Sequence, residues 1–159
     1  MAAIFLLLGS NLGNRQQFLQ QAIQHIENDI AQVIKISSVY ETQSWGNEGA
    51  PDYLNQVVLI EAQLPAAEVL KSILAIENEL GRERREKWGS RVIDIDILFY
   101  GDSIIDEPGL HIPHPRLHER SFTLAPLAEI APDFIHPILN KTILHIKTDL
   151  KDALIVKKL

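Results

Sequence analysis

Asp94 and Asp96 stand two residues apart in the segment VIDIDILFY. Hydrophobic residues alternate with them, so Ile93, Ile95, Ile97 and Phe99 are expected on one face of a strand and the two aspartates on the other. Two strand steps of about 3.3 Å put the carboxylates roughly 6–7 Å apart at their bases. From there they could converge on one hard cation or bracket two. Aspartate is depleted in strands, and two like charges on one face repel unless a cation lies between them. Oxygen ligands suit Mg²⁺, which takes one or two carboxylates and completes its shell with water and substrate phosphates. The plainer alternative is an amphipathic strand whose aspartates face water.

Just before this pair, Arg82, Arg84, Arg85, Lys87 and Arg91 crowd into ten residues, out of 15 lysines and arginines in the chain. Arginine forks grip phosphate oxygens bidentately, and a metal neutralises what they leave. A basic cluster beside a carboxylate pair is therefore the composition of a Mg·polyphosphate site. Trp88 could stack on a base or shield it. In isolation the cluster could equally be a solvated loop paired with Glu83 and Glu86.

Thr42, Trp45, Tyr53 and Asn55 flank a loop rich in glycine. Tyr53 and Asn55 are two apart and share a face. An aromatic ring to stack and an amide with donors and an acceptor suit a flat heterocycle, with Phe122 closing the other side. Each of these residues taken singly also fits an ordinary core or surface position. His111, His114 and His118 have the look of a loose zinc cluster, but there is no cysteine and Pro113 and Pro115 interrupt the spacing. A phosphate contact suits His114 better. The glycines of GSNLGN lack the Gly-Lys-Ser/Thr end of a Walker A loop and the GxGxxG pattern, so they read as a tight strand-to-helix connection.

The elements that must hold these groups follow from periodicity. AIFLLLG is a buried strand, and Phe18, Leu19, Ala22, Ile23 and Ile26 give a helix from Arg15 to Asp29. VIKISSVYET is a second strand, Gln43–Asp52 a loop, and Tyr53–Ala62 a third strand. Pro65 opens a second helix through Val69, Leu70, Ile73, Leu74 and Ile76, and Gly81 closes it. The fourth strand carries the aspartates, and a short helix is expected over Phe122–Ile130. Strand, helix, strand, strand, helix, strand is the split βαβ order of an α+β ferredoxin-like sandwich: an antiparallel sheet with helices packed on one face.

At 159 residues the chain fits one domain over 1–159, and 46% hydrophobic with 23% charged residues is ordinary for a globular protein. Without cysteine it uses neither disulfides nor thiol chemistry. A net charge of −6 argues against a general nucleic-acid binder. The apolar run Ala2–Leu8 is too short to span a membrane or to serve as a signal. The expected location is the cytoplasm.

Taken together, LGSNLG, SSVYET, DYLNQVV, GRERREKWGSRVIDIDILFYG, IPHPRLHERSF and PLAEIAP resemble the 6-hydroxymethyl-7,8-dihydropterin pyrophosphokinase family over residues 4–132. The resemblance implies a monomeric enzyme of folate biosynthesis that moves the pyrophosphoryl group of ATP to the pterin. It implies two Mg²⁺ ions on Asp94 and Asp96, and catalytic roles for Arg82 and Arg91 beside them. Tyr53 and Phe122 would sandwich the pterin, with Asn55 and the backbone near Thr42 and Trp45 reading its polar edge. Glu77, Arg82, Arg84, Trp88, Arg91, Ile97, His114 and Arg120 would line the ATP side. Ser44 and Ser90 stand where the family usually has proline, which would loosen both loops and leave the chemistry unchanged. Two other classes fit the motifs alone: a metal-dependent phosphohydrolase, and a ligand-binding module without catalysis.

Overall fold

The computed structural model describes residues 1–42, 52–81, 92–151 and 156–159. In chain order the elements are β1 (Ala2–Ser10), α1 (Arg15–Asp29), β2 (Val33–Ile36), β3 (Tyr40–Thr42), β4 (Tyr53–Ala62) and α2 (Ala66–Glu79). Then follow β5 (Asp94–Tyr100), a β6–β7 hairpin (Ile105–Glu107, Leu110–Ile112), α3 (Ser121–Ile130), α4 (Ile143–Asp149) and β8 (Val156–Lys158). The main sheet runs β5-β1-β4-β3-β8, with β2 also on β4, and every pairing is antiparallel.

Alternation along β1 divides the interior in two. Ile4, Leu6 and Leu8 point to one face, where Leu19, Ala22 and Ile26 of α1 and Val69, Ile73 and Ile76 of α2 cover them. Phe5 and Leu7 point to the other, with Val57, Leu98 and Phe99, under Leu124 and Leu127 of α3 and Ile143 and Ile146 of α4. Most of these side chains are fully buried, each worth about 1.5–3 kcal/mol of burial. The expected α+β sandwich is present, with α1 and α2 on one face. The second face is not bare, because α3 and α4 cover its Phe5–Phe99 end; the Gly9 end of β1 lies beyond that cluster.

Two local readings change. VIKISSVYET is two strands rather than one. Ser37 interrupts it: its hydroxyl accepts the Val57 N–H at 2.9 Å, while its own N–H donates to the Val57 carbonyl. A serine side chain that enters the ladder in place of backbone breaks the strand there. The alternation of β5 also shifts. Leu6 pairs with Ile97 but Phe5 pairs with Phe99, so Leu98 is an extra residue in a bulge. Ile93, Ile95 and Ile97 lie in the α1–α2 core, whereas Phe99 joins the opposite one, on the aspartates' face.

Candidate active site

Asp94 and Asp96 of β5 and Tyr53 and Asn55 of β4 flank β1, where three strands run side by side. Gly9 of β1 pairs with Asp94 of β5 on one flank and with Asn55 of β4 on the other. Directly paired residues share a face, so Asp94, Gly9 and Asn55 form one row. Two strand spacings separate its ends by roughly 10 Å. Asp96 lies two residues on, opposite Leu7 and on the same face. Both aspartates are partly buried, on the outermost strand of the sheet.

Glycine in the middle of this row decides its shape. A Cβ at Gly9 would stand 2.9 Å from Asn55 Oδ1 and 3.8 Å from a ring carbon of Tyr53. Both side chains therefore lean across β1 toward Asp94. Asn55 is only 4% exposed, and Tyr53 is partly buried. Thr42 pairs with Tyr53 on the next strand. It is buried, and its hydroxyl has no hydrogen-bond partner among the described residues.

Beneath the aspartates, Glu77 reaches from the last turn of α2 to the outer edge of β5. It is 3% exposed, and its carboxylate accepts the Ile95 N–H at 2.8 Å. Ile95 is the residue between Asp94 and Asp96, so this bond fixes the backbone from which both project. Ile97 faces the α1–α2 core and is buried there.

His114 sits beside the β5 bulge, where its N–H donates to the Leu98 carbonyl at 3.0 Å. Its Nδ1 accepts the Arg116 N–H at 3.2 Å, which leaves Nε2 as the protonated nitrogen of the neutral ring. Burial pushes this imidazole down to about pH 4, helped by the positive charges of Arg120 and Arg116. A neutral N–H donor beside two guanidiniums is suited to an anionic ligand. The Arg120 guanidinium lies 5.5 Å from the centre of the Phe122 ring, at the start of α3. The far end of that helix is tied to the sheet by Glu129, which accepts the Tyr40 hydroxyl at 2.8 Å and the Ser38 hydroxyl at 2.9 Å.

Asp94, Asp96, Thr42, Tyr53, Asn55, Glu77, Ile97, His114, Arg120 and Phe122 are thus described, while Trp45, Arg82, Arg84, Trp88 and Arg91 lie outside the described residues. Sequence reasoning missed Gly9, whose place between Asp94 and Asn55 is a fact of strand register. It also missed Glu129, an exposed helical glutamate that only tertiary contact singles out.

The family model for 7,8-dihydro-6-hydroxymethylpterin-pyrophosphokinase (HPPK) matches residues 5–132. The chain belongs to that family. As a member it is an ATP-dependent transferase of folate biosynthesis that moves a pyrophosphoryl group to hydroxymethyldihydropterin. Among similar proteins is the 2-amino-4-hydroxy-6-hydroxymethyldihydropteridine pyrophosphokinase of Aquifex aeolicus, 43% identical over 94% of this chain and 92% of that one. Another is the enzyme of the same name from Bacillus subtilis, 45% identical over 79% of this chain and 76% of that one. The HPPK-DHPS chain of Plasmodium falciparum, solved with pteroate, superposes with a TM-score of 0.75 at 17% identity, over 92% of this chain. This chain spans 43% of that longer one, and at such identity the likeness speaks for the fold alone.

Proposed function

We propose that the Asp94–Gly9–Asn55 row is where this HPPK brings its two substrates together. The pterin lies over Gly9 between the rings of Tyr53 and Phe122. Asn55 and Thr42 meet its polar edge, and the Thr42 hydroxyl, without a partner among the described residues, is a ready donor. ATP lies toward Asp94 and Asp96, with His114 Nε2–H and Arg120 on its phosphates and Arg82, Arg84 and Arg91 supplying further charge. Trp45 joins the pterin side and Trp88 the nucleotide side. Ile97 faces the core, so it serves the nucleotide through its backbone on the open edge of β5.

Asp94 and Asp96 fit a hard cation, because they present oxygen ligands on one face of one strand, partly buried, with the backbone between them fixed by Glu77. They would hold two Mg²⁺. When bound, such ions polarise phosphate oxygens and neutralise the charge on the transferred group.

The rest falls to the chain itself. Tyr53, Asn55 and Phe122 orient the hydroxymethyl oxygen toward the β-phosphorus of ATP. That oxygen forms a bond to the β-phosphorus and gives up its proton to water. The bond from the β-phosphorus to the oxygen of the α-phosphate breaks, AMP leaves, and the diphosphate passes whole to the pterin. Positioning supplies most of the rate in such transfers. Arg82 and Arg91 neutralise the leaving AMP.

The observation that carries this reading is the glycine gap between the Asn55 amide and the Asp94 carboxylate. Incubation of wild type and Gly9→Ala with ATP, Mg²⁺ and 6-hydroxymethyl-7,8-dihydropterin, following AMP, tests it. A higher KM for the pterin in the variant with KM for ATP unchanged is expected, whereas two unchanged values would move the substrates away from this row. The net charge of −6 supports small-molecule substrates rather than nucleic acid. Among the described residues no helix is long and apolar enough to cross a membrane. A single-domain monomer in the cytoplasm completes the proposal.

A further inference from the structure

Arg15 is the first residue of α1 and lies outside the substrate row. The turn before it is fixed: Gly13 has φ +70°, and the Asn14 side chain caps the helix by accepting the Gln17 N–H at 3.2 Å. From that anchored start one guanidinium nitrogen makes two bonds. It donates to Glu41 Oε2 at 3.1 Å and to the Asp52 carbonyl at 2.7 Å.

One acceptor stands on β3 and the other just before β4. Glu41 lies between Tyr40 and Thr42 in β3, and Asp52 immediately precedes Tyr53 in β4. The last rung of the β3–β4 ladder is Thr42 against Tyr53. β3 has only three residues, between β4 and the equally short β8, so few ladder bonds fix its end. Glu41 pairs with Leu54 on the α1 side, so Arg15 grips the rung from behind while Thr42 and Tyr53 face the substrate row.

We infer that Arg15 is a positioning residue for the pterin. It pins Thr42 and Tyr53 together at the mouth of the pterin pocket without touching the substrate. The inference rests on the assignment of that rung to the pterin. Charge-assisted bonds to a partly exposed arginine would make the effect roughly tenfold.

The test joins steady-state kinetics to amide hydrogen exchange. In Arg15→Ala, exchange at Thr42 and Tyr53 speeds up in the ligand-free protein. KM for the pterin rises about tenfold and KM for ATP stays within about twofold. Arg15→Lys, which keeps one charged contact, restores part of both effects. Unchanged exchange, or equal rises in the two KM values, would overturn the role of Arg15. Faster exchange with both KM values unmoved would show instead that the rung does not serve the pterin, and the inference would fall with that assignment. Should Arg15→Ala fail to fold, Glu41→Gln is measured in the same way. It keeps the bond to Asp52, and a smaller shift confined to the pterin is expected; no shift, or one shared with ATP, counts against the inference.

Discussion

The Glu77 carboxylate accepts the N–H of Ile95 at 2.8 Å, so a buried acid on α2 holds the backbone between Asp94 and Asp96. Outer strands present unpaired N–H groups, and this one is satisfied from the neighbouring layer. In Glu77→Leu the amide loses its partner and β5 can shift. A loss of about 1–3 kcal/mol in unfolding free energy is expected from the unmade bond. Mg²⁺ should also be needed at higher concentration for half-maximal activity. Chemical denaturation and a magnesium titration of activity check both, and an unchanged magnesium requirement would confine Glu77 to stability.

Gly9→Ala puts a methyl 2.9 Å from Asn55 Oδ1, so the amide must move. Overpacking of this kind costs about 1–3 kcal/mol. Because Asn55 is displaced and the aspartates are not, pterin affinity should fall roughly tenfold or more. ATP affinity should hardly change. Calorimetric titration with each ligand separates the two.

His114 is expected to titrate near pH 4 in the ligand-free protein, because burial and the guanidiniums of Arg120 and Arg116 disfavour its charged form. The unfolded imidazole titrates near 6.5. Between those values the unfolded state binds more protons, so stability rises with pH across that window. The contribution is complete above pH 6.5 and is lost as pH falls toward 4. A phosphate placed against Nε2 should raise the titration point. NMR of the ring protons with and without ATP and Mg²⁺ follows it; a midpoint unmoved by nucleotide would remove His114 from the phosphate site.

Tyr40 donates to Glu129, and burial with that carboxylate drives the phenol up to about 12. Burial pushes the Glu129 carboxyl up, but the hydrogen bonds from Tyr40 and Ser38 outweigh it and leave it below its usual range. Its contribution is thus present above the unfolded carboxylate value and lost as pH falls through the folded one. Tyr40→Phe should cost about 1 kcal/mol at neutral pH. Denaturant unfolding at pH 7 and again in acid checks this. The difference between wild type and variant should shrink in acid, and a difference independent of pH would contradict the ion's part in it.

Long elements with steady periodicity were legible from the residues. α1 and β4 keep the bounds read from their patterns, β1 runs one residue further at each end, and α2 starts within one residue of Pro65. The Asp94–Asp96 strand was legible too, because nothing else explains aspartates among isoleucines. What escaped depends on partners rather than on neighbours in sequence. The break at Ser37 comes from bonds to Val57 on another strand. The reversal of Phe99 comes from a bulge against β1, which pairing sets and alternation cannot reveal. The strands β6, β7 and β8 have three residues each, too few for a period. Gly9 read as a turn glycine because only register places it between Asn55 and Asp94.

The central claim is that Asp94 and Asp96 together carry the metal on which pyrophosphoryl transfer depends. Single-turnover formation of AMP by Asp96→Ala, with ATP, Mg²⁺ and the pterin all saturating, addresses it most directly. The account predicts a rate lower by on the order of a thousandfold or more, with the far-UV spectrum and pterin affinity of the wild type. Turnover within about tenfold of wild type in Mg²⁺ would contradict it.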